Sequence, residues 1–457
     1  MAALLFVTSM RSIALDASPR ADVLVVGGTP AGVAAALAAA RRGENVTLVA
    51  EGPVLGGVLT DAAMDQWDLN LAPDGVSVEG GIFKEIYAAL GDAFGAGDAA
   101  REFGRLAASD PRIHTVFNAR AVSVRASALP AGTAVEDVTF VRTGPRLGAT
   151  DLTFAANTVI DATDDADVAA LAGARYDVGR QDTGIDERMQ PVTLMFTLDD
   201  VDWAGVLHGY DARTEGPGGT DVRRAWGYAK LMDGYRPSSP DELVRDLNMG
   251  LESDGDVSIN AIDVLNIDGR SALELARARA ITERDAPRLV AYLRARLPGF
   301  AGAHIEGFAG AVYVRETRHV FGLERLTADD VWHGALPADR IGLSSYPLDL
   351  HPVTATARLA YAPVRHVYGI GFGNLIPNGF TNLLLASPSI SASHEAAGSA
   401  RVIPTTIEEG EADGAAAALA HRRHTTVTAI DQTPAAMAAL QDDLRRHGTI
   451  LAVSPSR

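Results

Sequence analysis

A short apolar run, Asp22–Val26, ends in Gly27-Gly28-Thr29-Pro30-Ala31-Gly32, and an alanine-rich segment follows to Arg42 before Gly43 stops it. Val46–Val49 is again β-branched and apolar. Strand, tight glycine turn, helix, glycine cap and strand make the opening of a βαβ unit. The turn has a physical use. Gly27 permits the tight bend, and Gly32 lets the helix lie close to the strand. The helix start then offers free N–H groups and a positive dipole end to a pyrophosphate. Thr29 stands where the usual pattern has its middle glycine, so a β-branched side chain sits at the point of closest approach. The acidic residue expected at the end of the second strand falls by spacing on Ala50, with Glu51 next. Glu51 either bonds the ribose hydroxyls of a nucleotide or is a solvated loop charge.

Farther on, Gly56-Gly57 sits between apolar flanks, Val54-Leu55 and Val58-Leu59, which suits a backbone lying against a ligand better than a solvated loop tip. Strands are expected at Thr115–Val124, Val138–Arg142 and Thr158–Ala162, and a buried strand at Leu383–Ala386. A long small-residue helix is expected through Ala420. An amphipathic helix is expected over Thr433–His447, with Thr433 as N-cap and Pro434 in its first turn. From about Asp177 the texture changes to polar, Gly- and Pro-rich stretches alternating with apolar ones, up to about Tyr346. The simplest organisation is a nucleotide domain made of residues 21–176 and 347–425, a substrate or cap domain at 177–346, and a C-terminal helix and tail at 426–457. Residues 1–20 read as a leader without structure of its own. This is the start of a cytoplasmic protein or, alternatively, the tail of an export signal that begins upstream.

Composition narrows the chemistry. The formal net charge of −18 over 457 residues disfavours nucleic acid and anionic lipid as partners. The absence of cysteine excludes disulfides, thiolate-held zinc, iron–sulfur clusters and a dithiol relay. Lys84 and Lys230 are the only lysines, which leaves few candidates for Schiff-base chemistry. His351, His366 and His421 show no metal-ligand spacing, and no metal is expected.

An ordered set of motifs now accumulates. It comprises the Gly27–Gly32 turn, Leu55-Gly56-Gly57, Ile160–Asp167 running into Leu171–Ala174, Met189-Gln190-Pro191 with Leu194–Phe196, Val314–His319, and Ile390–Val402 with Pro404-Thr405. Together these resemble the bacterial FAD-dependent oxidoreductases of the glutathione-reductase-like flavoprotein superfamily, over nearly the whole chain from about Ala21 to His447. The resemblance implies an α/β fold: a Rossmann-like FAD-binding domain with a central parallel sheet and a three-stranded β-meander crossover, plus an inserted α+β substrate domain. It implies FAD as cofactor. Gly27, Gly28, Thr29, Pro30, Ala31, Gly32, Glu51, Gly56, Gly57, Val58, Val122, Ala162, Thr163, Asp164 and Asp167 are expected to contact it, with Gly398, Arg401 and Val402 at the pyrimidine edge. Asp164 replaces a family glycine, so its carboxylate is expected to point away from the phosphates or to meet a sugar hydroxyl. Ser387-Pro388 departs from a common Gly-Arg. The acidic run Glu408, Glu409, Glu411 and Asp413 is expected to be a solvated helix face, and Gly410 with Gly414 to serve tight packing.

Flavin carries hydride or electrons, so the protein must bind, orient and handle protons. His394 is the acid–base candidate, or else a hydrogen-bonded structural histidine. Arg315 and His319 are expected to point together and grip a carboxylate or polarise a carbonyl. The competing reading is an ion-pair network with Glu316 and Glu324, more so for Arg318. The function expected is an FAD-dependent oxidoreductase acting on a small-molecule substrate, with oxygen, a quinone or a reduced nicotinamide as second electron partner. The alternatives are a catalytically silent nucleotide-binding protein of the same fold and an NAD-dependent dehydrogenase.

Overall fold

The computed structural model describes residues 20–143, 151–356 and 360–453; most of the leader read from the sequence lies outside these residues. The first strand, β1 (Arg20–Val26), runs into helix α1 (Pro30–Arg41) and back through β2 (Val46–Val49), parallel to β1 as the pattern requires. Every residue of α1 from Pro30 to Ala40 is buried. A helix apolar on all sides must be covered on all sides. Here β1 and its sheet lie beneath it, and a late helix, Ile403–Arg423, crosses above.

The main sheet is completed by β3 (Ile113–Val116), β4 (Ala119–Leu129), β5 (Gly132–Arg142) and β6 (Leu152–Asp161), in the order β3-β2-β1-β6-β5-β4. Strands β4, β5 and β6 form the antiparallel meander. The single strand expected over Thr115–Val124 is two strands. Asn118 takes a left-handed φ of 54° between them, and β3 runs parallel to β2 whereas β4 turns back against β5. The late strand Leu383–Leu385 pairs in parallel with the last three residues of β6, so the two ends of the chain share one sheet. The fold is α/β, with a Rossmann-like parallel sheet and further antiparallel sheets.

A second buried core draws its side chains from Val192 to Ala303. Its six-stranded sheet runs Gly219–Thr220, Arg224–Gly227, Leu247–Leu251, Val257–Asn260, Phe196–Asp199, His304–Phe308. Helix Ala272–Arg294 buries Ala278, Ile281, Leu289 and Leu293 in that core. The larger core takes residues from Val23–Ala174 and again from Val320–Leu444. Arg318–Val320 pairs with Tyr176–Val178 where the chain passes between the two. The last helix, Pro434–Arg446, starts where expected, but the Thr433 hydroxyl makes no capping bond.

The late helix Ile403–Arg423 corrects one expectation. Gly410 and Gly414 do serve tight packing: a Cβ on them would come within 2.1 Å of Ala31 O and 2.2 Å of Ala35 O on α1. That close crossing carries the neighbouring carboxyls inward. Glu408, Glu409, Glu411 and Asp413 are each 1 % exposed or less, so they are a buried row and not a solvated face. Glu408 accepts from Gly80 N at 2.8 Å and Glu411 from Ile82 N at 2.7 Å, whereas both carboxyl oxygens of Glu409 and of Asp413 have no partner among the described residues. Burial pushes the carboxyls of Glu408, Glu409 and Asp413 well above the usual range, which keeps them neutral.

Candidate functional site

The glycine turn is built by contact. Gly27 has a φ of 122°, and a Cβ there would lie 2.2 Å from Ala162 O, at the end of β6. A Cβ on Gly32 would lie 2.0 Å from Gly27 O, so the helix can enter only on glycine. Thr29 resolves its departure from the pattern by turning inward. Its hydroxyl accepts from Gly32 N at 3.0 Å as the N-cap of α1 and donates to Ala162 O at 2.9 Å. The β-branched side chain therefore locks turn to sheet and leaves the mouth of the helix open. Asp161, fully buried at the end of β6, accepts from Thr163 N and Oγ1 and from Ala169 N.

These elements rim a cavity of about 210 Å³. Thr29, Pro30 and Ala31 line it from the start of α1, Gly57 and Val58 from the second glycine pair, and Asp164 from beyond β6. From the far end of the chain come Ser387, Pro388, Arg401, Ile403 and Thr406. Two long helices thus begin at one cavity, and each presents its positive end there. Gly57, with a φ of 47°, would place a Cβ 3.1 Å from Thr29 Cα, so the two glycine turns nest together.

Asp164 lines the cavity with Asp61 and Asp165. Its own surface is open to that space, but the surrounding walls and the repulsion of Asp165, Asp61 and Asp167 raise its carboxyl to about 7. Arg315, Arg401 and Tyr313 also line the cavity. Arg401 donates to Tyr313 Oη at 2.8 Å and to Asp349 Oδ2 at 3.2 Å, while its Nε, buried, has no partner among the described residues. Arg315 lies 4.8 Å over the Tyr313 ring.

Arg315 does not join His319, as the spacing had suggested. It donates to Pro191 O and Thr193 Oγ1, both at 2.9 Å, and stands 3.3 Å from Asp263 Oδ1. The segment is neither a regular strand nor a helix at Arg315, so the assumed common face does not form. Arg318 pairs with Asp167 and donates to the Asp165 carbonyl, and not with Glu316 and Glu324 as the spacing suggests. Behind Arg315, Asp263 accepts from His351 Nδ1 at 2.8 Å, and His351 also approaches Asp349. Burial alone would raise Asp263, yet His351 and Arg315 hold it below its usual range; Asp349 is held down to about 2 by His351 and Arg401 against the same burial.

His319 and His394 meet instead on Glu316, at 2.8 and 2.6 Å, all three buried. Burial disfavours charge here too, but the two imidazoles bring Glu316 down to about 2, and Glu316 raises His394. The three also offer one ligand atom each within 4.8 Å, a spacing a cation could use; as they stand, Glu316 accepts from both rings. Neither histidine lines the cavity. Of the other expected contacts, Val122 sits at a bulge of β4, and Gly398 packs on Leu350 and Asp349. Val402 caps the late helix, and exposed Glu51 lies 3.7 Å from Arg120. Tyr313, Asp61, His351 and Asp263 were not picked out from the sequence. Each lies in a different segment, and no local spacing links them.

The residues fit a dinucleotide. Two glycine turns allow the close backbone packing that shapes the cradle's rim, two helix starts converge on it, and the unpaired Arg401 Nε awaits an acceptor. The family described as "FAD dependent oxidoreductase" matches residues 22–444. No protein of curated function matches the chain. Among solved structures, p-nitrophenol 4-monooxygenase from Pseudomonas putida DLL-E4 is 12% identical, covers 95% of this chain and 90% of its own, and superposes with a TM-score of 0.45. A geranylgeranyl bacteriochlorophyll reductase-like protein from Thermoplasma acidophilum is 14% identical over 94% and 84% of the two chains, with a TM-score of 0.42. A flavin-dependent brominase is 10% identical over 93% and 84%, with a TM-score of 0.45.

Proposed function

The chain belongs to the FAD dependent oxidoreductase family, and from that premise we propose that it acts on a small organic anion held by Arg315 and Arg401. Bound FAD supplies the hydride acceptor or donor. The glycine turn and the start of α1 hold the pyrophosphate, and the start of helix Ile403–Arg423 faces the same space. The observation that carries the reading is the single cavity walled by both ends of the chain, with two guanidinium groups on one side. Arg315 and Arg401 neutralise the substrate's charge and orient it. Tyr313 Oη accepts from Arg401, so its own proton is free to be donated toward the cavity. His394 and His319 act at one remove: both bond Glu316, the residue next to Arg315 in the chain.

We further propose that the FAD-binding part is of the glutathione-reductase-like kind. The strand order with a three-stranded meander supports that reading. Residues 21–176 and 347–425 form the FAD-binding part, 177–346 the substrate part, and 426–457 the closing helix and tail. A small molecule and a separate electron partner are the partners, and the cytoplasm is the compartment. No described helix is long and apolar enough to cross a membrane.

The test is anaerobic mixing of the FAD-loaded protein with carboxylates, neutral alcohols and amines, followed at the flavin absorbance band. Carboxylates should bleach it. Bleaching by neutral compounds alone overturns the anion assignment. His394→Ala should slow bleaching with FAD retained, and unchanged bleaching rejects its role.

A further inference from the structure

Beyond the wall of the FAD cavity lies a second chamber of about 230 Å³. The wall is one layer of backbone, where Ala311 N donates to Asp61 O. The chamber's floor is the six-stranded sheet. Gly250, Ser258, Thr197 and Gly307 lie side by side on adjacent strands, so they share one face of that sheet. Along the same strands Met249, Ile259, Val257 and Leu198 fill the second core. The floor is therefore small and polar where its other face is large and aliphatic. Residues of that size leave a trough that no protein side chain fills.

The polar groups of the trough are left without partners. Ser258 is 1 % exposed, borders the chamber, and its Oγ has no hydrogen bond. Beside it, just behind the chamber's lining, Asp65 is 1 % exposed, and its carboxyl faces the Ser258 hydroxyl and Gln66 without a close hydrogen bond to either. Asp65 lies over Gly250 so closely that a Cβ there would come within 1.6 Å of its Oδ2. Glu252 lines the same chamber. Met195, Phe308, Ala63 and Ala309 supply apolar walls. Unpaired buried acceptors at one end of an apolar slot want donors and positive charge.

We infer that this trough is a binding site for a small primary amine, with its ammonium against Ser258 and Glu252, Asp65 behind them, and its apolar body against Met195 and Phe308. An ammonium offers three donors and no acceptor, which matches a hydroxyl and carboxylates. The surroundings favour a cation: Glu252 faces Asp65, Asp254, Asp256 and Asp98, and the guanidinium near Asp65 is Arg223, already bonded to Leu251 O. Burial raises Asp65 to about 6 and Glu252 to about 8, so at neutral pH Asp65 is already largely anionic and an arriving ammonium displaces a proton from Glu252.

The test is calorimetric titration of the full-length, FAD-loaded protein with benzylamine, benzyl alcohol and benzoate near neutral pH, in two buffers of different ionisation enthalpy. Benzylamine should bind at least about tenfold tighter than benzyl alcohol, benzoate should not bind, and the buffer dependence should show proton release. Asp65→Asn and Glu252→Gln should each weaken benzylamine about tenfold without loss of FAD. If Asp65→Asn does not fold, Glu252→Gln decides. Equal or tighter binding of the alcohol or benzoate, absence of benzylamine binding, or wild-type affinity in the folded variants overturns the proposal. The readout is heat and not flavin bleaching, so this assignment and the anion assignment of the FAD cavity fail separately.

Discussion

The wall behind the FAD cavity and the helix Ile403–Arg423 both bury carboxyl groups, and they do so in opposite ways. In the wall, Asp263 and Asp349 lie between Arg315, Arg401 and His351, and the cations keep them ionised in spite of burial. In the helix, Glu409 and Asp413 are buried more completely and face no cation among the described residues, and burial keeps them neutral. Both regions penalise charge by burial. The partner decides the charge.

The contrast is broken most severely by removing a cation. Arg315→Met leaves Asp263 with His351 and the Thr193 hydroxyl but without its guanidinium, and should cost about 3–5 kcal/mol, because one member of a buried pair is left uncompensated. Urea unfolding measures it. A loss under about 1 kcal/mol would show that Asp263 does not depend on its guanidinium.

Asp164 sits between the two regimes, raised to about 7 and open to the cavity. It is neutral below that value and anionic above it, so FAD, itself an anion, should bind more weakly as pH rises through neutrality. Asp164→Asn should remove this dependence and bind FAD about tenfold tighter on the alkaline side, equivalent to ~1.4 kcal/mol. Fluorescence titration across that range sharpens the comparison; parallel wild-type and variant profiles would place the carboxyl away from the phosphates.

The smallest effect is expected from Asp413→Asn. Near pH 4 its stability should match wild type within about 1 kcal/mol. The folded pKa of Asp413 lies above the unfolded one. Stability is therefore lost as pH rises past the unfolded value, where only the unfolded chain ionises. The asparagine variant lacks that slope and should gain on wild type with rising pH. The wall carboxylates have depressed values and give the reverse: their contribution is lost as pH falls through their folded values. Melting temperatures over a pH series check both signs, and equal slopes for the two variants would erase the distinction.

The same contrast explains what could be read from the amino acids alone. The glycine turn was legible because its requirement is local: Gly27 and Gly32 are dictated by backbone contacts within a few residues and by one strand end. The meander and the sheet shared by both chain ends followed from motif order. The acidic run was misread because its burial is set by α1, which lies nearly four hundred positions away in the chain. An Ala-Gly crossing that draws carboxyls inward has no signature in helical periodicity. Arg315 was placed in the site but given the wrong partners, since Asp263 and His351 arrive from other strands. Thr29 looked like a defect in the pattern, and only the Ala162 carbonyl shows it to be a lock. The second chamber was invisible because its floor is a row across four strands.

The pairing of Leu383–Leu385 with the end of β6 has a consequence for biosynthesis. A ribosome delivers β1 to β6 long before that strand emerges, and until then the main-chain donors and acceptors of Val159–Asp161 on that side have no neighbour. An open edge of this kind recruits other chains. The nascent protein therefore passes through a sticky interval that closes only when more than four-fifths of it has been made. Truncations ending shortly before residue 383 should accordingly aggregate, where those carrying the strand and the helix after it stay dispersed.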